Sequence, residues 1–77
     1  METLDILNYG ESARVENLLT QNGMRRRFLD IGLVKGTRVV CVGISPSGDP
    51  KAFLIRGAVI AIRNCDSQMV LIKREEE

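Results

Sequence analysis

One stretch of this sequence, Gly23 to Thr37, has helical spacing with both of its ends marked, and it constrains the rest of the chain more than any other feature. Met24, Phe28 and Ile31 stand at i, i+4 and i+7 and share one face. Asn22 or Gly23 suits the N-cap, and Gly32 suits the position just past the C-terminus, where a left-handed residue ends a helix. Leu33 then folds back onto Phe28, the apolar contact that accompanies such a stop. The result is a helix of about two turns, too short to hold in water alone. It needs a surface to pack on, and the remainder of the sequence offers strands.

The exposed side of this helix is unusual. Arg25, Arg26 and Arg27 all lie in its first turns, against the positive end of the helix dipole. Asp30 is spaced to pair with Arg26 or Arg27 and offset part of that repulsion. Leu29 lies well off the Met24/Phe28/Ile31 stripe, on the side of Arg25. The bland reading is a solvated basic face with one apolar residue at its margin. The sharper reading is a contact patch, Leu29 ringed by arginines.

Around the helix, turn signals cut the chain into short extended pieces. Leu4 to Tyr9 is an apolar lead-in that Gly10 breaks. Ser12 to Leu19 reads as a first strand, with Ala13, Val15 and Leu19 on one side and Arg14 and Glu16 on the other. Lys35-Gly36 makes a tight turn into Thr37–Ile44, a strand apolar on both faces beyond Arg38 and therefore expected at a central position. Gly43 near its end suggests a bulge or bend. Ser45 to Pro50 is the clearest loop. Lys51–Arg56 and Ala58–Arg63 flank Gly57 as a hairpin. Asn64 to Gln68 reads as a turn or a short 3₁₀ segment. Met69 to Lys73 is a last strand, and Glu75, Glu76 and Glu77 form an acidic tail expected to fray. The expected fold is mainly β: a small SH3-like barrel of about five strands, closed to hide its edges, with one short α-helix between the first and second strands. An OB-fold would place its helix later in the chain. Residues 1–74 read as a single domain and 75–77 as the tail.

Composition excludes several functions. The 77 residues fit one domain, which buries about 60% of its unfolded surface and has little room for an enclosed cavity. Eleven basic and ten acidic residues leave a net charge of +1, so no overall field draws the chain to nucleic acid or to a membrane surface. The arginine run is a local feature. It is the only support for nucleic-acid binding, since the strands carry no basic stripe and no aromatic set for base stacking. Three aromatics, Tyr9, Phe28 and Phe53, cannot line a groove for proline-rich peptides. The longest apolar run, Ala58 to Ile62, is too short to span or insert into a bilayer, and the acidic N-terminus lacks the regions of a signal peptide, so a cytoplasmic protein is expected.

Catalysis is not expected. The sequence has no histidine, which removes the commonest general base and metal ligand. Its serines and cysteines therefore lack a partner base, and no phosphate-binding glycine loop is present. Cys41 reads as a small core residue and Cys65 as a partly exposed one, both free thiols. Cys65, Asp66 and Asp49 are the only weak candidates for a metal; Cys65 with Asp66 makes two ligands, which is not a tight site. No cofactor is expected, and weak binding of Fe²⁺ or another transition metal is the alternative. Strand edges left exposed would favour a homo-oligomer.

At this point several segments match a known pattern. They are Gly10-Glu11-Ser12-Ala13-Arg14-Val15, then Arg25 through Leu33, Gly36-Thr37, Gly48-Asp49-Pro50, and Arg56-Gly57 through Ala61-Ile62-Arg63. As an ordered set, from about Leu4 to Lys73, the chain resembles the FeoA family of bacterial ferrous-iron uptake. It departs at Lys35, where that family often has proline, and at Ser47, where it often has a large apolar residue. The resemblance implies an SH3-like barrel. It also implies an accessory or regulatory role beside FeoB, the membrane ferrous-iron transporter with a cytoplasmic GTPase part. A similar domain ends the iron-dependent repressors, which lends the family its association with transition metals. On this reading Arg25, Arg26, Arg27 and Leu29 form the partner-binding surface, with Leu29 as the apolar anchor.

Overall fold

A computed structural model of the chain describes residues 2–75. Its strands are β1 (Glu2–Thr3), β2 (Ser12–Leu18), β3 (Arg38–Ile44), β4 (Lys51–Ile55), β5 (Ala58–Ile62) and β6 (Val70–Arg74). Its helices are α1 (Asn22–Asp30) and the single turn α2 (Asn64–Ser67), and a 3₁₀ turn covers Leu4–Ile6. All pairings are antiparallel, in one sheet of order β1-β6-β2-β3-β4-β5. The inward side chains of β2, β3, β4 and β6 meet in one core: Ala13 and Val15, Val39 and Cys41, Phe53 and Ile55, Val70 and Ile72. The sheet curls into an SH3-like form over a core completed by Phe28 and Leu33 of the helical segment and by Leu4 and Leu7 of the lead-in. It does not close as expected: β1 pairs only with β6 and β5 only with β4, so both remain edges. β3 is interior to the sheet, as its two apolar faces require.

There are six strands rather than five, and α1 joins β2 to β3, the first and second of the long strands. The added strand, β1, is two residues long, so it has no periodicity to read. It is defined by pairing, Glu2 with Ile72 and Thr3 with Leu71, and by an ion pair of Glu2 with Arg74 at 3.2 Å. A second difference lies in β2. Alternation from Ala13 and Val15 turns Leu19 inward, but the ladder to β6 shifts register between Val15 and Asn17. That bulge adds one residue, so Leu18 is buried and Leu19 is exposed. The bulge expected near Gly43 is present, between Cys41 and Gly43 in the β3–β4 ladder.

Glu75 is not frayed. Arg14 and Arg38 stand directly opposite each other on β2 and β3, an unfavourable pairing of like charges. Glu75 lies between them, accepting from Nε of Arg14 at 3.1 Å and from Nε of Arg38 at 2.7 Å, while its own N–H donates to the Ser12 carbonyl. The other two tail residues, Glu76 and Glu77, lie outside the described residues.

A candidate interaction surface on the helix

Helix α1 ends as its sequence requires. Ile31 is the C-cap, and Gly32 follows with φ +100. The Leu33 N–H donates to the Phe28 carbonyl at 2.9 Å and the Gly32 N–H to the Leu29 carbonyl at 3.1 Å, the paired bonds of a Schellman stop. Leu33 and Phe28 are both buried, which fixes the helix against the sheet. The start of the helix differs from expectation. The N-cap is Gln21, without a side-chain cap bond, and Asn22 takes φ 59, a left-handed value that asparagine tolerates. No acidic residue occupies the first turn.

This frame sets the exposed side chains. Arg25, Arg26 and Leu29 line one shallow depression together with Asn22 and Asp30. Leu29 is 40% exposed, although leucine is ordinarily a core residue. A second depression runs from Arg25 and Leu29 to Val34 and Lys35, beneath the bulged end of β2. Arg25 is held there by a bond from its Nη1 to the Leu18 carbonyl at 3.3 Å. Asp30 enters no ion pair among the described residues, so the pairing its spacing permits with Arg26 or Arg27 is not made. Arg27 is separated from the other three. It lies on the opposite flank, in a groove of about 450 Å³ shared by Met24, Phe28 and Ile31 of the α1 segment with Ile60, Ala61 and Ile62 of β5.

The weak metal candidates are close in the chain's path but do not form a ligand set. Asp49 Oδ1 accepts the Asn64 N–H at 3.0 Å, which pins the 45–50 loop to the start of α2. Cys65 is exposed, and its Sγ lies 4.0 Å from Asp66 Oδ1. Among the described residues no three of His, Cys, Asp and Glu gather as ligands, so these side chains do not fit a resident metal ion. Cys41 is buried in the core.

Two features escape sequence reading. One is the groove between α1 and β5, which depends on how a helix and a hairpin distant in sequence approach. The other is Arg56. It takes φ 50 at the first position of the β4–β5 turn, with Gly57 at φ 84, the geometry of a type I′ hairpin that normally selects asparagine, aspartate or glycine. Its side chain crosses Gly32: a Cβ at Gly32 would lie 2.5 Å from the Arg56 Cδ. The Arg56-Gly57 dipeptide is the one sequence signal that could have pointed there.

A curled antiparallel sheet packed on one buried helix face defines a small SH3-like domain. The FeoA-domain family model matches residues 2–74, and the chain belongs to the FeoA family. Among solved structures, it superposes on the FeoA protein of Chlorobium tepidum with a TM-score of 0.88 at 26% identity, over 95% of this chain and 70% of that one. It superposes on Stenotrophomonas maltophilia FeoA complexed with zinc with a TM-score of 0.85 at 27% identity, over 95% of this chain and 91% of that one. A manganese-dependent transcriptional repressor shares the fold alone, with a TM-score of 0.85 at 16% identity, over 96% of this chain and 41% of the repressor. No curated protein matches the sequence.

Proposed function

We propose that this protein is a non-enzymatic accessory of ferrous-iron uptake that works on the cytoplasmic side by contact with the GTPase part of a FeoB-like transporter. Membership of the FeoA family supports the transport role. The observation that carries the contact surface is Leu29: a leucine held 40% exposed on a helix whose opposite face is locked into the core, beside Arg25 and Arg26. Neither arginine is in an ion pair among the described residues, so both can meet acidic groups on a partner. Leu29 acts as the anchor and the arginines set register. Arg27 contributes from the far flank only if the partner wraps over the helix N-terminus.

The test is a binding titration against the cytoplasmic part of a cognate FeoB, with and without guanine nucleotide, using wild type and Leu29→Glu. Saturable binding that Leu29→Glu abolishes, with an unchanged circular dichroism spectrum, is the expected result. Equal binding by both proteins, or none in any nucleotide state, overturns the assignment. A metal-binding adaptor is the second reading, favoured by the zinc complex of the S. maltophilia protein. It requires a ligand set that the described residues of this chain do not assemble.

A further inference from the structure

We propose that the free edge of β5, Ala58–Ile62, receives one extended strand of a partner polypeptide: an apolar segment with acidic residues on both flanks. The surface is separate from the Leu29 depression and does not depend on it.

β5 ends the strand order and pairs only with β4. Its hairpin has a two-residue turn, Arg56-Gly57, closed by the pair Ile55 and Ala58. In such a turn the closing pair exchanges both bonds, and the pattern then alternates. Ala58, Ile60 and Ile62 bond back to β4, which leaves the N–H and C=O groups of Val59 and Ala61 directed away from the sheet. The strand has none of the usual protections of an edge: no lysine, no proline and no charge within Ala-Val-Ile-Ala-Ile. Both sides of that edge are apolar. Val59, 65% exposed, pairs with exposed Leu54 on the outer face. Ile60 faces the groove that Met24 and Ile31 also line. An added strand would therefore find apolar contacts for alternate side chains on each face as well as backbone partners.

Charge selects the occupant. Arg56 stands at one end of β5 and Arg63 at the other, and Arg27 lines the groove with Arg63. None of these three is in an ion pair among the described residues. Asp66 is the one acidic residue lining the groove. A second copy fits poorly. Antiparallel pairing of two β5 edges about Ile60 sets Arg63 of one copy opposite Gly57 of the other, beside its Arg56, so like charges meet at both ends. A partner strand with acidic flanks meets cations at both ends instead.

The probe is a capped synthetic peptide with a Val-Thr-Val-Thr-Val centre and Glu-Asp flanks, against the same peptide with lysine flanks. Titration is followed by amide chemical shifts and by exchange protection of the Val59 and Ala61 amides. The expected result is saturable binding of the acidic-flanked peptide, about tenfold tighter than the lysine-flanked one, with new protection at Val59 and Ala61. Ala61→Pro removes an outward N–H without breaking the β4 ladder, and it should abolish binding. Arg63→Glu, at an exposed position, should reduce the preference for acidic flanks to about twofold or less, and it carries the test if Ala61→Pro does not fold. Failure to saturate at millimolar peptide, equal binding of both peptides, or Ala61→Pro binding as wild type overturns the proposal. So does dimerisation of the wild type that Ala61→Pro abolishes, since the edge would then serve a second copy.

Discussion

Gly32→Ala tests whether the helix that presents Leu29 is fixed by backbone geometry. Gly32 has φ +100 and supplies the left-handed residue of the Schellman stop. Placing an L-residue in the left-handed region costs about 1–2 kcal/mol. The new methyl would also lie 2.5 Å from Cδ and 3.1 Å from Cγ of Arg56, so the arginine must leave its place across the helix end. Stiffening of the unfolded chain returns less than about 1 kcal/mol. A net loss of about 1–2 kcal/mol should lower Tm by roughly 5–15 °C in a domain of this length. Urea denaturation followed by circular dichroism, read as a change in midpoint at constant slope, measures it. Arg56→Gly removes the obstructing side chain, so the loss from Gly32→Ala should be smaller in that background. A Gly32→Ala protein within about 0.5 kcal/mol of wild type would refute the argument from backbone geometry. Losses that simply add across the two positions would refute the Arg56 contact.

Four further outcomes are expected. Leu29→Glu should leave stability within about 1 kcal/mol of wild type by the same urea assay, because the side chain is already partly in water. The Glu75 carboxyl is held below the ordinary value of 4.5, chiefly by the hydrogen bond from Arg38, with burial opposing and the charges of Arg14 and Arg38 adding to the shift. A lowered folded value means that its contribution is complete above pH 4.5 and is lost as pH falls through the folded value; Glu75→Gln should flatten stability in that acid window, and salt should do so in part. Cys41→Ser buries a hydroxyl in the core and should cost about 1–3 kcal/mol, whereas Cys65→Ser, at an exposed site, should change the urea midpoint little. Anaerobic equilibrium dialysis at micromolar protein should show no retained Fe²⁺, and retention that Cys65→Ser abolishes would restore the metal-adaptor reading.

What the sequence discloses depends on how local its physical cause is. The stop at Gly32, the bulge at Gly43, the interior place of β3 and the burial of Cys41 follow from neighbours a few residues apart, and all are present. Leu19 is misplaced because one extra residue in β2 reverses every later side chain, and no residue in Glu16-Asn17 announces it. Glu75 is read as tail because its partners, Arg14 and Arg38, lie far back in the chain. The candidate site follows the same rule. Arg25, Arg26 and Leu29 come together because one helix carries them, while Arg27, their sequence neighbour, is turned to the other flank by the 100° step of that helix.

The distribution of ion pairs explains how a chain of net charge +1 can still present a cationic surface. Arg14, Arg38 and Arg74 are matched by Glu75, Glu2 and Glu11, all on β1, β2, β3 and β6 or on the residue next to one of these strands. Arg25, Arg26, Arg27, Arg56 and Arg63 are in no ion pair among the described residues, and they belong to α1 and to the β5 hairpin. Three acids, Glu2, Glu11 and Glu75, thus fasten the sheet, and the arginines outside these pairs flank two of the exposed apolar positions, Leu29 and Val59. Long-range attraction from so small a net charge is weak and acts within about a Debye length, roughly 8 Å at physiological salt. In the contacts proposed above, the arginines therefore discriminate among partners already in contact. Raising salt should weaken recognition of acidic partners at both surfaces while leaving the apolar contribution of Leu29 in place.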